Sequence, residues 1–164
     1  MRCLVLDVDG VLTDGRIYYG DAGPLRAFDV QDGLAVTWFR KFLGPVAVIT
    51  GLESEAVRKR GADLRIEHVV QGSRDKLADL RRLLPALGVS IEQVAAIGDD
   101  LPDAALLRVC GFPIAPANAV PEVRRVARLV TSRSGGRGAV REAVEFLLRR
   151  AGRWADVLAH YGER

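Results

Sequence analysis

Short runs without a single charged residue recur along this chain: Cys3-Leu4-Val5-Leu6, Val46-Ala47-Val48-Ile49, Val94-Ala95-Ala96-Ile97 and Phe112-Pro113-Ile114-Ala115. They are apolar throughout rather than alternating, which is the pattern of strands buried on both faces, the first expected from Arg2 to Asp7. Shorter strand-like runs fall at His68–Gln71 and Arg128–Thr131. Helical patterns lie between them: Asp32-Gly33 to about Phe42, Ser54 to Arg60 closed by Gly61, and a stretch capped by Ser73 that runs through Leu84. Three more run over Pro102–Val109, from Pro121, and over Ala139–Arg149, and a last one over Trp154–Tyr161. Regular alternation of buried strand and helix predicts an α/β fold, a doubly wound parallel sheet with helices on both faces.

One segment breaks the alternation. Arg16-Ile17-Tyr18-Tyr19 and Leu25-Arg26-Ala27-Phe28-Asp29-Val30 flank the turn-rich Gly20-Asp21-Ala22-Gly23-Pro24. Two strand-like runs around such a turn predict a β-hairpin at about 16–30. The 164 residues suit one domain, 1–164, with a C-terminal tail at about 132–164.

The first strand ends in Asp7-Val8-Asp9-Gly10, and a later one in Gly98-Asp99-Asp100-Leu101-Pro102-Asp103. The C-terminal tips of parallel strands are where open α/β sheets bind ligands. Two acidic clusters at such tips can share a hard cation, which points to Mg²⁺. Asp7 and Asp99 are the candidate ligands, with Asp9 adding its main-chain carbonyl. Asp7 is also a candidate nucleophile toward phosphorus, and Asp9 a general acid and then base. Three acids as close as Asp99, Asp100 and Asp103 repel one another unless a cation or donors compensate. Asp100 and Asp103 are therefore expected to support the site by holding Lys76 or waters around the cation.

Two further positions complete the pattern. Thr50-Gly51 follows a buried strand, where a hydroxyl can donate to a phosphoryl oxygen and Gly51 allows close backbone approach. Lys76 stands near a helix start, where a cation is unfavourable. A bound phosphoryl group beside the Asp7 carboxylate would supply the reason. Gly135-Gly136-Arg137-Gly138 could fold over an anion with Arg137 as its charge.

The rest excludes rather than assigns. The net charge of +3 is small and dispersed over predicted helix faces, which gives no footprint for nucleic acid. Cys3 and Cys110 lack metal-ligand spacing and read as small buried hydrophobes in a reducing compartment. No apolar run reaches membrane-spanning length, and strand one begins at once, so no membrane partner and a cytoplasmic location are expected. His68 and His160 are too isolated to form a site.

Taken in order, Asp7-x-Asp9 with Gly10-Val11, Thr50-Gly51, Lys76 and Gly98-Asp99-Asp100-x-x-Asp103 resemble the haloacid dehalogenase superfamily of phosphatases. A narrower resemblance covers nearly the whole chain. Asp7 to Gly15, Phe28-Asp29-Val30-Gln31-Asp32-Gly33, Glu67 to Gly72 and Gly135 to Glu142 are similar to the 3-deoxy-D-manno-octulosonate 8-phosphate (KDO 8-phosphate) phosphatases. The resemblance implies a Rossmann-like fold of haloacid dehalogenase type with a hairpin insertion and no cap domain. It implies hydrolysis of an eight- or nine-carbon sugar-acid phosphate with Mg²⁺. Asp32, Gly33, Gly51 and Arg137 would then meet the substrate. It also implies a homotetramer joined through the hairpins, with the tail closing over the active site. One position departs from that pattern: those enzymes usually carry Arg after the Thr-Gly pair, and here stand Leu52 and Glu53. A phosphatase for a related nonulosonate phosphate, or for a broader range of sugar phosphates, therefore remains a second reading.

Two readings from other classes compete. Signalling receiver domains also phosphorylate an Asp beside Mg²⁺, Thr and Lys, but on a middle strand after an acidic pair, whereas Asp7 is on strand one and precedes the acidic cluster. A regulatory or scaffolding subunit that only binds sugar acids would have no need of the full set of reactive residues.

Overall fold

The computed structural model describes residues 1–21 and 23–163; Ala22, in the predicted turn, and Arg164 lie outside the described residues. Six strands form one parallel sheet: β1 (Cys3–Leu6), β4 (Val46–Ile49), β5 (His68–Val70), β6 (Val94–Ile97), β7 (Phe112–Ala115) and β8 (Leu129–Val130). Their spatial order is β5-β4-β1-β6-β7-β8. From β1 the chain winds outward through β4 to β5, then returns to lay β6 on the other side of β1. That reversal makes the β1–β6 boundary the topological switch point, where such sheets open a crevice. Leu6 is in register with Ile97, so Asp7 and Gly98 leave the sheet at the same level.

Both faces of the sheet are covered, as uninterrupted apolar strands require. Leu4, Leu6, Val46 and Val48 face the layer of α1 (Val30–Phe42), α2 (Glu55–Asp63), α6 (Ala139–Arg150) and α7 (Trp154–His160). Cys3, Val5, Ala47 and Ile49 face the layer of α3 (Lys76–Leu87), α4 (Leu101–Val109) and α5 (Pro121–Val126). Both cysteines are buried and free, as small core residues.

The hairpin forms as a separate two-stranded unit, β2 (Tyr18–Gly20) and β3 (Gly23–Leu25), shorter than the segment expected. At three helix boundaries a side chain or a contact replaces the anticipated signal. Asp29 caps α1 through its carboxylate and starts it at Val30, ahead of Asp32-Gly33. Asp75, not Ser73, caps α3. Gly61 lies inside α2, where an added Cβ would stand 2.9 Å from Val69 Cγ2; it serves helix–strand packing rather than termination. Among the described residues, no helix is long and apolar enough to cross a membrane.

Candidate active site

The loop after β1 is wound tightly on itself. The amides of Val11 and Thr13 both donate to Val8 O, at 3.1 and 3.0 Å. The buried Thr13 hydroxyl donates to the same carbonyl and accepts from Gly10 and Gly15 N–H. Asp7 N–H donates to Ile97 O at 3.1 Å, which ties the start of the loop to β6. Gly10 has φ +93°, and a Cβ there would lie 2.0 Å from Asp99 Oδ2. Glycine is needed at that point because the Asp99 carboxylate lies against the backbone of the loop.

This winding gathers the two acidic clusters. Asp7, Asp9, Thr50, Gly51, Lys76 and Asp99, with Asp100 and Asp103, line one cleft of about 430 Å³ at the C-terminal edge of the sheet. That is within the usual range for small-molecule clefts. Carboxylate oxygens of Asp7, Asp99 and Asp103 come within 4.8 Å of one another.

Lys76 Nζ lies 2.8 Å from Asp7 Oδ1 and 2.6 Å from Asp103 Oδ1, with all three side chains buried. Asp103 Oδ2 accepts from the N–H groups of Asp99 (3.0 Å) and Asp100 (3.3 Å). Asp103 is therefore fully engaged in shaping the loop and holding the lysine. Asp100 caps α4, accepting from Leu101 N–H at 2.7 Å, and faces solvent.

The electrostatics are frustrated. Burial, with Asp103 adding to it, pushes the Asp7 carboxyl from 3.8 up to about 6 despite the opposing Lys76. Burial followed by repulsion from Asp7, Asp103 and Asp100 pushes Asp99 up to about 7. Burial alone would lower the Lys76 ammonium, but Asp7 and Asp103 outweigh it and raise it. Asp99 Oδ1 is buried with no hydrogen-bond partner among the described residues. A buried carboxylate oxygen of that kind, with a second carboxylate a few ångströms off, is what a divalent cation with oxygen ligands requires. The residues present therefore fit a hard cation held by Asp7 and Asp99.

Thr50 is buried at the tip of β4, its N–H on Val70 O at 2.9 Å and its carbonyl taken by Ser73 N–H at 3.0 Å. At Gly51 an added Cβ would meet only Ser73 O, at 3.7 Å, so the protein's own packing does not demand glycine there. Leu52 lines the cleft with about half its surface exposed (48 %), at the point where the resembled enzymes usually carry Arg.

Asp32 and Gly33, expected to meet substrate, do not line this cleft. Asp32 is buried, and its carboxylate accepts from Arg141 N–H (2.7 Å) and Gly138 N–H (3.2 Å) at the start of α6. It clamps the tail to α1, and burial pushes its carboxyl up to about 6. Gly33 makes room for the Arg60 guanidinium, which a Cβ would meet at 2.1 Å. Arg137 lines an adjoining depression with Asp14, Arg16 and Asn118 rather than the cleft itself. The tail nonetheless lies against its own chain's Asp7–Gly15 loop: Gly136 N–H donates to Val11 O at 3.0 Å.

Two residues that sequence reasoning passed over complete the surroundings. Asn118 Nδ2 donates to Gly10 O at 2.9 Å while its Oδ1 accepts from Gly135 N–H at 2.7 Å, joining loop and tail. Arg26, just past β3, forks onto Asp9: Nε to Oδ1 at 2.7 Å and Nη2 to Oδ2 at 3.3 Å. Neither stands in a motif, and no periodicity marks them.

Comparison with known proteins gives a consistent picture. Residues 58–143 match the family model of haloacid dehalogenase-like hydrolases. The chain is 44% identical over 149 residues to the 3-deoxy-D-manno-octulosonate 8-phosphate phosphatase KdsC of Escherichia coli K12, covering 90% of this chain and 79% of that protein. The Yersinia pestis KdsC is 42% identical over 149 residues, covering 90% and 80%. Among solved structures, the chain is similar to the Moraxella catarrhalis 3-deoxy-D-manno-octulosonate 8-phosphate phosphatase in complex with magnesium, phosphate and KDO. That match has a TM-score of 0.94 and 38% identity over 98% of this chain and 93% of the other. It is also similar to the cobalt-bound phosphatase YrbI of Haemophilus influenzae, with a TM-score of 0.91 and 36% identity over 94% and 91%.

Proposed function

This chain belongs to the haloacid dehalogenase-like hydrolase family, and on that footing we propose that it is a Mg²⁺-dependent phosphomonoesterase whose substrate is KDO 8-phosphate. The observation that carries the reading is the convergence of Asp7, Asp9, Lys76 and Asp99 at the β1–β6 switch point, with Asp99 Oδ1 left without a partner. The magnesium, phosphate and KDO held by the Moraxella relative support the same choice of ion and sugar acid.

The side chains divide the chemistry between them. Asp7 attacks phosphorus in line and forms an aspartyl phosphate as the sugar oxygen leaves. Asp9 gives that oxygen its proton, then takes one from the water that cleaves the phosphoenzyme and returns free Asp7. Lys76, steadied by Asp103, neutralises charge on the phosphoryl oxygens, and the Thr50 hydroxyl donates to one of them. Asp7 and Asp99, with the main-chain carbonyl of Asp9, would hold Mg²⁺. When bound, the ion draws charge from the phosphoryl group and favours ionised Asp7.

Assembly belongs to the same reading. Between Asp9 and β4 the described residues form only the hairpin and α1, so no inserted domain covers the cleft. Tyr19 is 84 % exposed, and Tyr18 and Leu25 are exposed as well. Such an apolar hairpin is a liability in a monomer. A homotetramer that buries these hairpins explains both the exposure and the missing cover, in a single-domain cytoplasmic enzyme. Leu52 in the cleft favours one second reading, a related nonulosonate phosphate, because an aliphatic side chain removes a candidate partner for the KDO carboxylate.

Phosphate release from KDO 8-phosphate, a nonulosonate phosphate and simple sugar phosphates, each with and without Mg²⁺, tests the proposal. Mg²⁺-dependent turnover with KDO 8-phosphate preferred is the expected result, and Asp7→Asn should abolish it. Turnover that survives in Asp7→Asn removes the nucleophile assignment.

A further inference from the structure

The hairpin sends one charge inward. Its exposed side chains include Tyr18, Tyr19 and Leu25, yet the Arg26 side chain at its base is only 3% exposed and reaches Asp9 on the cleft wall. There it supplies both side-chain hydrogen bonds that Asp9 makes among the described residues. Burying a guanidinium against a single carboxylate on the cleft wall costs desolvation that a hairpin anchor would not need to meet. An apolar side chain would anchor the hairpin at least as well.

We propose that Arg26 is the positioning residue of the acid–base carboxylate, fixing Asp9 through Oδ1 and leaving Oδ2 as the oxygen that carries the proton. This rests on the phosphatase reading above. The unequal fork supports the division of labour. The Nε–Oδ1 bond, at 2.7 Å, is that of a strong charge-assisted pair, whereas the Nη2–Oδ2 contact, at 3.3 Å, is long enough to release. In the first step Oδ2 gives its proton to the leaving sugar oxygen as the bond from phosphorus to that oxygen breaks and the bond from Asp7 to phosphorus forms. In the second step Oδ2 accepts a proton from water as the water oxygen bonds to phosphorus and the Asp7–phosphorus bond breaks. Throughout, Oδ1 stays on Arg26, so the carboxylate pivots on a fixed atom rather than searching rotamers. Because Arg26 follows β3 directly, the placement of the hairpin sets the aim of Asp9.

Leaving-group dependence separates this role from a structural one. An alkyl phosphate expels a poor leaving group and needs a well-aimed acid; an aryl phosphate such as 4-nitrophenyl phosphate needs it far less. The kcat/KM of each ester, which reports the step that expels the leaving group, is measured at saturating Mg²⁺ for the wild type, Arg26→Ala, Arg26→Lys, Asp9→Asn and the double variant Asp9→Asn/Arg26→Ala. Arg26→Ala is expected to lower kcat/KM on a sugar phosphate by on the order of 10- to 100-fold and to lower the alkyl-to-aryl ratio of kcat/KM by about tenfold. Arg26→Lys should fall between Arg26→Ala and the wild type. Once Asp9 is Asn, removing Arg26 should cost nothing further on the alkyl ester. Equal losses on both esters, or losses that add in the double variant, overturn the proposal. If Arg26→Ala does not fold, as judged by circular dichroism, Arg26→Lys carries the test, and a wild-type ratio in it overturns the proposal. A wild-type protein that hydrolyses neither ester removes the phosphatase reading and this proposal with it. Activity on both esters with an unchanged ratio in the variants removes this proposal alone.

Discussion

Lys76 Nζ stands 2.8 Å from Oδ1 of Asp7, with both side chains buried at the floor of the cleft. The lysine sits at the first position of α3, where the helix itself offers it no stabilisation. Its partners are Asp7 and Asp103, and without it three carboxylates would face one another in a buried cleft.

Lys76→Met keeps most of the aliphatic stem and removes the charge. Breaking a buried pair in this way costs about 3–5 kcal/mol, because the remaining charges are left uncompensated. The variant is expected to melt at a markedly lower temperature than the wild type and to lose at least about 100-fold in kcat. Added Mg²⁺ should recover part of the lost thermal stability, since a cation replaces some of the missing charge. A melting curve that overlays the wild type without Mg²⁺ would show that Lys76 does not hold the acids together.

If Asp7 and Asp99 hold Mg²⁺ as proposed, protons and the ion compete for the same oxygens. The folded Asp99 carboxyl is raised to about 7 and Asp7 to about 6, both above the ordinary 3.8. A carboxyl raised in the folded state binds its proton more tightly there than in the unfolded chain. In metal-free protein these two groups therefore reduce stability as pH rises from about 4 to about 7. Mg²⁺ binding must displace those protons, so the ion's effect grows over the upper part of that window. The rise in melting temperature on adding saturating Mg²⁺ is expected to be small near pH 5 and largest near pH 8. An increment that does not change with pH would dissociate the ion from Asp7 and Asp99.

The parts of the site legible in the sequence are those whose position follows from the alternation of strand and helix. Asp7 and Asp99 each end an apolar run, and parallel strands bring such ends to one edge whatever the order of the strands. Arg26 and Asn118 were not legible because their partners are set by tertiary folding. Asn118 meets Gly10 across 108 positions, and the hairpin that carries Arg26 has no periodicity that points it inward. Asp32 follows the same rule. Asp32-Gly33 reads as the start of a helix, whereas the carboxylate is buried in the first turn of α1 and bonds to Gly138, 106 positions on, at the start of α6. Gly61 read as a stop because a local reading has no knowledge of Val69 across the helix–strand interface.

The assembly proposal turns on Tyr19. It lies on the exposed hairpin, paired across it with Pro24. If hairpins from four chains join, Tyr19→Lys places charges in a shared apolar contact, where unpaired charge is strongly unfavourable. Light scattering should give the wild type four times the 17.8 kDa of one chain and Tyr19→Lys a smaller species. A wild type that scatters as a single chain at micromolar concentration would end the tetramer proposal.

The tie between loop and tail makes a last prediction. Asn118→Ala removes the donor to Gly10 O and the acceptor for Gly135 N–H together. Leaving two partly buried backbone groups without those partners costs about 1–3 kcal/mol each when nothing replaces them. Gly10 follows Asp9 directly, so loosening its carbonyl also loosens the proposed acid–base residue, and kcat should fall together with the melting temperature. Gly135→Ala reaches the same contact by a different route, since the added Cβ would lie 1.9 Å from Gly10 O and the tail cannot seat without moving. Arg133 and Arg137 are exposed on that tail, which makes trypsin the natural probe. Both variants should be cut there faster than the wild type. Cleavage rates equal to the wild type, with kcat unchanged, would show that the tail is held in place by α6 and Asp32 alone.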